Sequence, residues 1–555
     1  APTAAGATLD VRTAGTATVT TSTAAAGGIL GNNRVTFNGT DWASNGAADS
    51  AIGAYAGYTA MATSGTDTAN SLQAGSTALA GALTTNSLKI TTSGGSQSLA
   101  QGGSLLTLTS GGLLFAGAHD YSITGGNLAS GTATNSDLIV HQGGTGVLTI
   151  DSVIANGVGT STLTKAGTGT LVLTRSNTYL GATYINDGVL SISNNNQLGA
   201  TAGSNVYLNG TLRITADVTT GHNILLGSNG GTFDVINSSL LTVSGLKGQG
   251  AGTADTGGMT LSSTSSGTLL VNGNGQFYGD VDVKSGTLRI GNGNALGTPG
   301  TNSLSLSGTG RIQLNANNLT VADLNGSSGS FIENSRIDAG TNTFGTYSGS
   351  NSTYAGTIRN NDGVRLGTLN FLKGGGGSLT LTGTNTYSGT TTVQNGTLLV
   401  NNTHSGAGAY TVQGPSGDTR GILGGTGTIT TAGNAGITLL AGGRLSPGAS
   451  AGTLTANLGT GSLDLSAGVA AIDTEALIFE LGAVGPGTSD QFALTSGGLN
   501  IGSGVLEFDD FSFTSLSGFN EGTYVLFHLQ GSSGTDVITG SLGANVTGTI
   551  AGFSS

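Results

Sequence analysis

One stretch of this chain recurs 208 positions later with the same spacing of residues. The first copy, GTGTLVLTRSNTYLGATYINDGVLSI, begins at Gly167, and the second, KGGGGSLTLTGTNTYSGTTTVQNGTLLV, begins at Lys373. A third copy, GTLLVNGNGQFYGDVDVKSGTLRI, begins at Gly267 and has Phe in the place of Tyr. Shorter, partial copies with the pattern Gly-Thr-apolar-x-apolar recur about every 20 residues, a length typical of one coil of a β-solenoid.

The residue pattern within each copy predicts short strands joined by tight corners. Alternation of Leu, Val or Ile with polar residues turns one side of a strand toward a core. Glycine between the strands supplies the positive φ that a corner needs. We therefore predict an all-β solenoid, in which the following positions are structural: Leu171, Leu173, Tyr179, Gly188, Leu190, Ile192, Leu269, Val271, Phe277, Gly286, Leu288, Ile290, Leu379, Leu381, Tyr387, Gly396, Leu398 and Val400.

Composition excludes several classes of protein. The 555 residues contain 102 Gly and no Cys, which rules out disulfide frameworks, thiolate metal sites and a Cys nucleophile. A net charge of -12 argues against binding nucleic acid through phosphate neutralisation. No run approaches the roughly 18 apolar residues of a transmembrane helix, so we expect no transmembrane segment.

The repeated pattern, with its shared Asn-Thr-Tyr, resembles the autotransporter-associated β-strand repeat of exported bacterial proteins. The turn LSPGASAGTL, from Leu445, and residues 490–509 are similar to regions that follow such repeats in those proteins. The resemblance implies a passenger-type, right-handed parallel β-helix displayed outside the cell. The sequence departs from autotransporters because it shows no strands of a translocator barrel.

Regularity varies along the chain. Residues 41–83 are rich in Ala, and we expect a short helix there, with Trp42, the only Trp, as a core anchor. The segment LEFDDFSF, from Leu506 to Phe513, predicts one strand with an apolar and an acidic side. We predict three regions: residues 1–85 as N-terminal strands and an Ala-rich cap, 86–460 as the β-solenoid, and 461–555 as an acidic, Phe-rich C-terminal β cap or assembly region.

Charge is also distributed unevenly. Thirteen of the 16 Lys and Arg lie from Lys165 to Arg444, and after Arg444 every charged residue is Asp or Glu. An acidic, aromatic terminus next to a basic middle suggests contacts between copies of the chain. A head-to-tail contact of this kind does not close on itself, so it predicts a homopolymer.

The carboxylates offer only weak candidate sites. Glu507 and Asp509 would share a strand face, with Asp510 beside them, and we predict weak Ca²⁺ binding there but no other cofactor. Asp473 and Glu475 form a second such pair. The pair Asp280 and Asp282 has the spacing of solvated side chains, and the five His lack the spacing of metal ligands.

We therefore expect an extracellular structural protein without catalysis, an elongated β-solenoid that self-associates into surface fibres or matrix. An adhesin that binds glycans or host or environmental surfaces is the alternative. A polysaccharide-degrading β-helix enzyme is a remote one, because such enzymes need clustered carboxylates. The chain begins with APTAAGATLD, without a basic and apolar leader, so we expect the mature form after signal-peptide removal, outside the cell or at its surface.

Overall fold

A computed structural model of the chain describes residues 4–14, 17–25, 28–131, 136–200, 203–249, 257–335, 338–361, 363, 366–414, 420–448, 450–470, 475–530, 537–548 and 550. It forms two units, residues 1–279 and 280–555. The helical segments among these residues are each four residues or shorter. They are the 3₁₀ turns Leu30–Asn33, Asn195–Leu198 and Phe508–Asp510, and the α-helix α1, Ser466–Val469.

The described part of the first unit consists of short strands. They are β1 Leu9–Val11, β2 Val35–Phe37, β3 Asp41–Ser44, β4 Gly53–Ala54, β5 Thr59–Ala60, β6 Gly65–Thr66, β7 Asn70–Ala74, β8 Thr77–Ala78, β9 Leu83–Thr91, β10 Gln97–Ala100, β11 Leu105–Phe115, β12 Tyr121–Ser130, β13 Ser136–Gln142, β14 Leu148–Ala155, β15 Ser161–Ala166, β16 Thr170–Leu173, β17 Thr183–Ile185, β18 Val189–Ile192, β19 Asn205–Leu208, β20 Thr211–Ile214, β21 Val218–Thr220, β22 Asn223–Leu226, β23 Gly231–Val235, β24 Leu240–Val243, β25 Leu246–Gly248, β26 Met259–Ser262 and β27 Thr268–Val271.

The second unit is built in the same way. Its strands in the described residues are β28 Val281–Ser285, β29 Thr287–Ile290, β30 Leu304–Leu306, β31 Arg311–Gln313, β32 Leu319–Val321, β33 Leu324–Gly326, β34 Phe331–Glu333, β35 Thr341–Tyr347, β36 Ser352–Tyr354, β37 Thr357–Arg359, β38 Thr368–Gly374, β39 Ser378–Leu381, β40 Thr391–Val393, β41 Gly396–Val400, β42 Thr403–Ala407, β43 Tyr410–Val412, β44 Gly421–Gly425, β45 Thr428–Thr431, β46 Ile437–Leu439, β47 Arg444–Pro447, β48 Thr453–Asp464, β49 Leu477–Leu481, β50 Gln491–Leu506, β51 Phe511–Ser515, β52 Phe527–Leu529 and β53 Ile538–Leu542.

Strands stack in parallel, coil upon coil. In the first unit Leu171 pairs in register with Leu148 on one side and with Leu190 on the other. In the second unit Leu398 pairs in the same way with Leu379 and Leu423. Because parallel strands lie about 4.8 Å apart, equivalent side chains form continuous apolar columns. The predicted all-β, parallel β-solenoid is confirmed.

The predicted repeat positions lie inside the coils or at their corners. Gly188, Gly286 and Gly396 have φ of 62°, 82° and 65°, the left-handed region that glycine adopts without strain. The apolar positions are at most 2% exposed. They are Leu171, Leu173, Tyr179, Leu190, Ile192, Leu269, Val271, Phe277, Leu288, Ile290, Leu379, Leu381, Tyr387, Leu398 and Val400.

The expectation of a helix within residues 41–83 is wrong. This region holds β3 to β8 and the start of β9, and β7 pairs in parallel with β9, Ser71 opposite Leu88. Glycines such as Gly53 and Gly65 interrupt every run of Ala, which lowers helix propensity, while the next coil offers partners for extended backbone. The ladder of parallel coils therefore begins within this region.

The strand expected from Leu506 to Phe513 is also wrong. Strand β50 ends at Leu506, a 3₁₀ turn covers Phe508–Asp510, and β51 begins at Phe511. The carboxylate of Asp510 accepts a hydrogen bond from the Glu507 N–H at 2.7 Å, which closes the turn. An acidic residue that bonds to the nearby backbone favours a turn over an extended ladder. The predicted boundaries 85/86 and 460/461 fall within β9 and β48, and the three-part division remains a prediction.

Candidate functional site

The first copy of the repeat holds a buried polar cluster, which we call the repeat clasp: Lys165, Asn177, Tyr179 and Thr183. The Lys165 ammonium is fully buried and donates to three main-chain oxygens at the corner, including that of Asp187 at 3.0 Å. Asn177 accepts from one main-chain N–H at 2.8 Å and donates to a main-chain oxygen at 2.7 Å. The Tyr179 hydroxyl is 2.6 Å from the Thr183 hydroxyl. The clasp therefore ties successive coils together through their backbone.

The second copy repeats the clasp with Lys373, Asn385, Tyr387 and Thr391. Lys373 donates to three main-chain oxygens, including that of Asn395 at 3.1 Å. Asn385 accepts from a main-chain N–H at 2.9 Å, and the hydroxyls of Tyr387 and Thr391 are 2.7 Å apart. The same four residue types thus make the same kind of contacts in both units.

Burial changes the ionisation of the clasp. Desolvation lowers the pKa of Lys165 to about 7 and that of Lys373 to about 8, because an ammonium is poorly accommodated away from water. Burial likewise raises the pKa of Tyr179 and Tyr387. The third copy replaces the clasp residues by Ser263, Gly275, Phe277 and Val281, of which Phe277 and Val281 are buried apolar side chains.

The N-terminal strands β1 to β4 form a small mixed sheet, in which β1 and β2 are parallel and β3 is antiparallel to its neighbours. This sheet packs on the outer side of the coils. Trp42 is fully buried, as predicted, against Leu114, and its ring meets that of His141 edge-on with 5.3 Å between centroids. Arg34 forms a buried ion pair with Asp137 at 2.9 Å. Burial lowers the pKa of His141 to about 4.

A groove of about 490 Å³ lies between this sheet and the coil corners, and we call it the lateral groove. Asn186 holds its two walls together, because its side-chain amide donates to the Gly6 main-chain oxygen at 2.6 Å and to the Thr8 hydroxyl at 2.9 Å. The N-terminal wall consists of Thr8, Leu9, Asp10, Arg12, Thr36, Asn38 and Gly39. The coil wall consists of His141, Gly143, Ala166, Gly167, Thr168, Asn186, Asp187, Asn209 and Asn229.

The lateral groove carries charges of both signs at its mouth. The Arg12 guanidinium is exposed and lies 2.6 Å from the Asp10 carboxylate. The hydrogen bond and the charge of Asp10, together with the charge of Asp187 across the groove, raise the pKa of Arg12. The sequence indicated none of this, because the two walls are more than a hundred residues apart in the chain.

Two of the three predicted calcium ligands accept hydrogen bonds from main-chain N–H groups. Glu507 accepts from the Ala544 N–H at 2.9 Å, and Asp510, which is buried, accepts from the Glu507 N–H. Burial raises the pKa of Asp510. In the described ranges, no three His, Asp or Glu side chains are grouped so that they could hold a metal ion. Calcium binding at Glu507, Asp509 and Asp510 remains a prediction, and Asp473 lies outside the described residues.

Sequence reasoning missed a buried carboxylate in the second unit. Glu333 is fully buried and accepts from Arg311 at 3.1 Å, from Gln313 at 2.9 Å and from Arg359 at 2.7 Å. Parallel register brings these residues together, since Glu333 pairs with Gln313 in one neighbouring strand and with Arg359 in the other. An alignment of successive coils in the sequence, residue by residue, would have placed Glu333 beside Gln313 and Arg359.

His404 is a buried ring in the second unit. It stacks on Tyr387 with 4.1 Å between centroids, and its Nδ1 faces the Tyr410 hydroxyl. Its Nε2 is 2.9 Å from the Tyr387 main-chain oxygen. Burial lowers the pKa of His404 to about 4, so the ring is neutral at pH 7 and serves packing.

None of the helices in the described part of the chain is both long and apolar enough to span a membrane.

Stacked parallel coils with a recurring clasp define the chain as a β-solenoid. The sequence profile of the passenger-associated-transport-repeat matches residues 163–192 and 371–400, the two copies that carry the clasp. The chain is similar to the adhesin BmaC autotransporter of Brucella suis biovar 1 (strain 1330), with 34% identity over 297 residues. That match covers 50% of this chain and 8% of the relative, so the chain spans a small part of that protein's length. No solved structure matches the chain significantly. The resemblance predicted from the sequence is confirmed: the chain carries autotransporter-associated repeats and is homologous to an autotransporter adhesin.

Proposed function

We propose that this chain is an extracellular, adhesin-type β-solenoid that attaches a bacterial surface to other surfaces. The observation that carries the proposal is the 34% identity to an autotransporter adhesin over half of the chain. The two clasp-bearing repeats support the same class. The similarity to an adhesin also supports a non-enzymatic role and a place at the cell surface or outside the cell.

Arrays of immobilised glycans and of extracellular-matrix proteins test this function on the purified chain. We expect discrete, saturable binding to a subset of the array. Uniform background on both arrays, with a chain that melts cooperatively, would contradict the adhesin role.

Self-association into fibres is a second candidate. Ile538 and Leu542, both in β53, are 58% and 57% exposed, so this one strand presents two large apolar side chains to solvent. We expect sedimentation at increasing concentration to show oligomers that the double change Ile538→Ser and Leu542→Ser disperses. The change Leu366→Ser, at another exposed apolar position, is the control. A wild-type chain that stays monomeric, without fibres by electron microscopy, would exclude this candidate.

A further inference from the structure

The lateral groove is built as a ladder of polar corners. Asn186 and Asn209 each follow the last residue of a strand, β17 and β19, and these strands pair in parallel register. Thr168 and Asn229 lie at corners of other coils. Adjacent coils are about 4.8 Å apart, so Asn186 and Asn209 present their amides to the groove one coil apart, while Thr168 and Asn229 lie two residues beyond the aligned positions Ala166 and Gly227.

The ladder has unused hydrogen-bonding capacity. The side-chain amides of Asn209 and Asn229 bond to no other residue in the described part of the chain, although both line the groove. Each amide offers two donors and one acceptor. Opposite them, Asn38 uses its side-chain oxygen for the Thr13 N–H at 3.3 Å, which leaves its NH₂ group available.

We infer that the lateral groove binds a neutral oligosaccharide. Sugar hydroxyls both donate and accept, so they match a surface that mixes amides, hydroxyls and carboxylates. The acidic groups of the groove, Asp10 and Asp187, outnumber its one guanidinium, that of Arg12, and this disfavours anionic glycans. The volume of about 490 Å³ is in the range of small-ligand sites.

This inference rests on the proposed adhesin role and names the class of ligand for it. The docked N-terminal sheet is what turns a flat solenoid face into a groove, because it supplies the second wall. A ligand held there contacts both the sheet and the coils.

The test uses the full chain and short neutral gluco-, galacto-, manno- and xylo-oligosaccharides on an array, with titration of the strongest hits. The double change Asn209→Ala and Asn229→Ala is compared with Asn272→Ala and Asn274→Ala, two exposed corner amides of the same unit outside the groove. We expect the groove variant to lose about 10-fold in affinity and the control to keep wild-type binding. Equal melting temperatures show that both variants fold.

Unchanged affinity of the groove variant, binding restricted to anionic glycans, or no binding to any neutral oligosaccharide would each overturn the inference. If the chain nevertheless mediates attachment, the adhesin proposal stands and only its ligand is wrong. If the wild-type chain binds no neutral oligosaccharide and also mediates no attachment, both proposals fail.

Discussion

The Lys165 ammonium donates a hydrogen bond to the main-chain oxygen of Asp187, 3.0 Å away, in the next coil. This contact places a cation inside a solenoid core, where burial lowers the pKa of Lys165 to about 7. Lys373 makes the equivalent contact with Asn395 at 3.1 Å. The repeat motif therefore specifies corner geometry through a buried polar group as well as through apolar columns.

The first prediction concerns alkaline pH. The folded pKa of Lys165 lies below its unfolded value of 10.5, so between pH 7 and 9.5 the unfolded chain binds more protons. The free energy of unfolding should therefore rise with pH in this window, by up to about 1.4 kcal/mol per pH unit from this group. Chemical denaturation at each pH measures it.

The variant Lys165→Met should reduce that rise, leaving the part that Lys373 supplies above pH 8, whereas Lys247→Met, at an exposed lysine of the same unit, should leave it unchanged. An identical slope in the wild type and in Lys165→Met would show that the buried ammonium keeps its ordinary pKa.

The second prediction concerns acid. The folded pKa of His404 is about 4, below the unfolded value of 6.5. The stabilisation that the folded state gains from the neutral ring is therefore complete above pH 6.5 and is lost as the pH falls toward 4. We expect the melting temperature to fall over this range, and His404→Phe to reduce the slope. His528→Phe, at an exposed histidine, is the matched control. If His404→Phe and His528→Phe show the same slope of melting temperature against pH, the buried ring is not the source of that slope.

The third prediction concerns a corner glycine. A Cβ on Gly396 would lie 2.3 Å from the Gly377 main-chain oxygen, and φ there is 65°. We expect Gly396→Ala to lower the free energy of unfolding by more than about 2 kcal/mol. Gly376→Ala places its Cβ in open space, with no atom within 4 Å, and should change stability by less than about 0.5 kcal/mol. Equal effects would mean that the corner does not require glycine.

The fourth prediction concerns the buried carboxylate. Glu333→Ala removes the acceptor from Arg311, Gln313 and Arg359, and should cost about 3–5 kcal/mol in the free energy of unfolding. Glu333→Gln keeps the shape and one acceptor oxygen, and should cost less. Glu521→Ala, at an exposed acid, should be near neutral. A near-neutral Glu333→Ala would show that the cluster adds no stability.

Local pattern predicted the coil interior well. The alternation around Leu190 and the position of Gly188 follow from strand and corner geometry, which are local properties of the backbone. The expected helix within 41–83 was wrong because pairing with a neighbouring coil overrode the Ala content. The strand through Glu507 was wrong because Asp510 closes a turn.

The lateral groove could not be predicted from local sequence patterns. Trp42 and His141 meet across 99 positions of sequence, and no periodicity of either segment specifies which face of the coils the N-terminal sheet covers. The partners of Glu333 depend on the register between coils, since a shift of one residue would turn the carboxylate to the other face. To predict such contacts, one must know the length of each coil, and the lengths vary along the chain.

The most direct test of the adhesin role is the attachment of a non-adherent bacterium that displays this chain on its surface. Display is quantified with an antibody, and bacteria displaying an equal amount of an unrelated protein are the control. We predict several-fold more bacteria attached to cell layers or glycan-coated surfaces, and loss of the excess when purified chain is added as competitor. Attachment equal to the control, at verified display, would contradict the account.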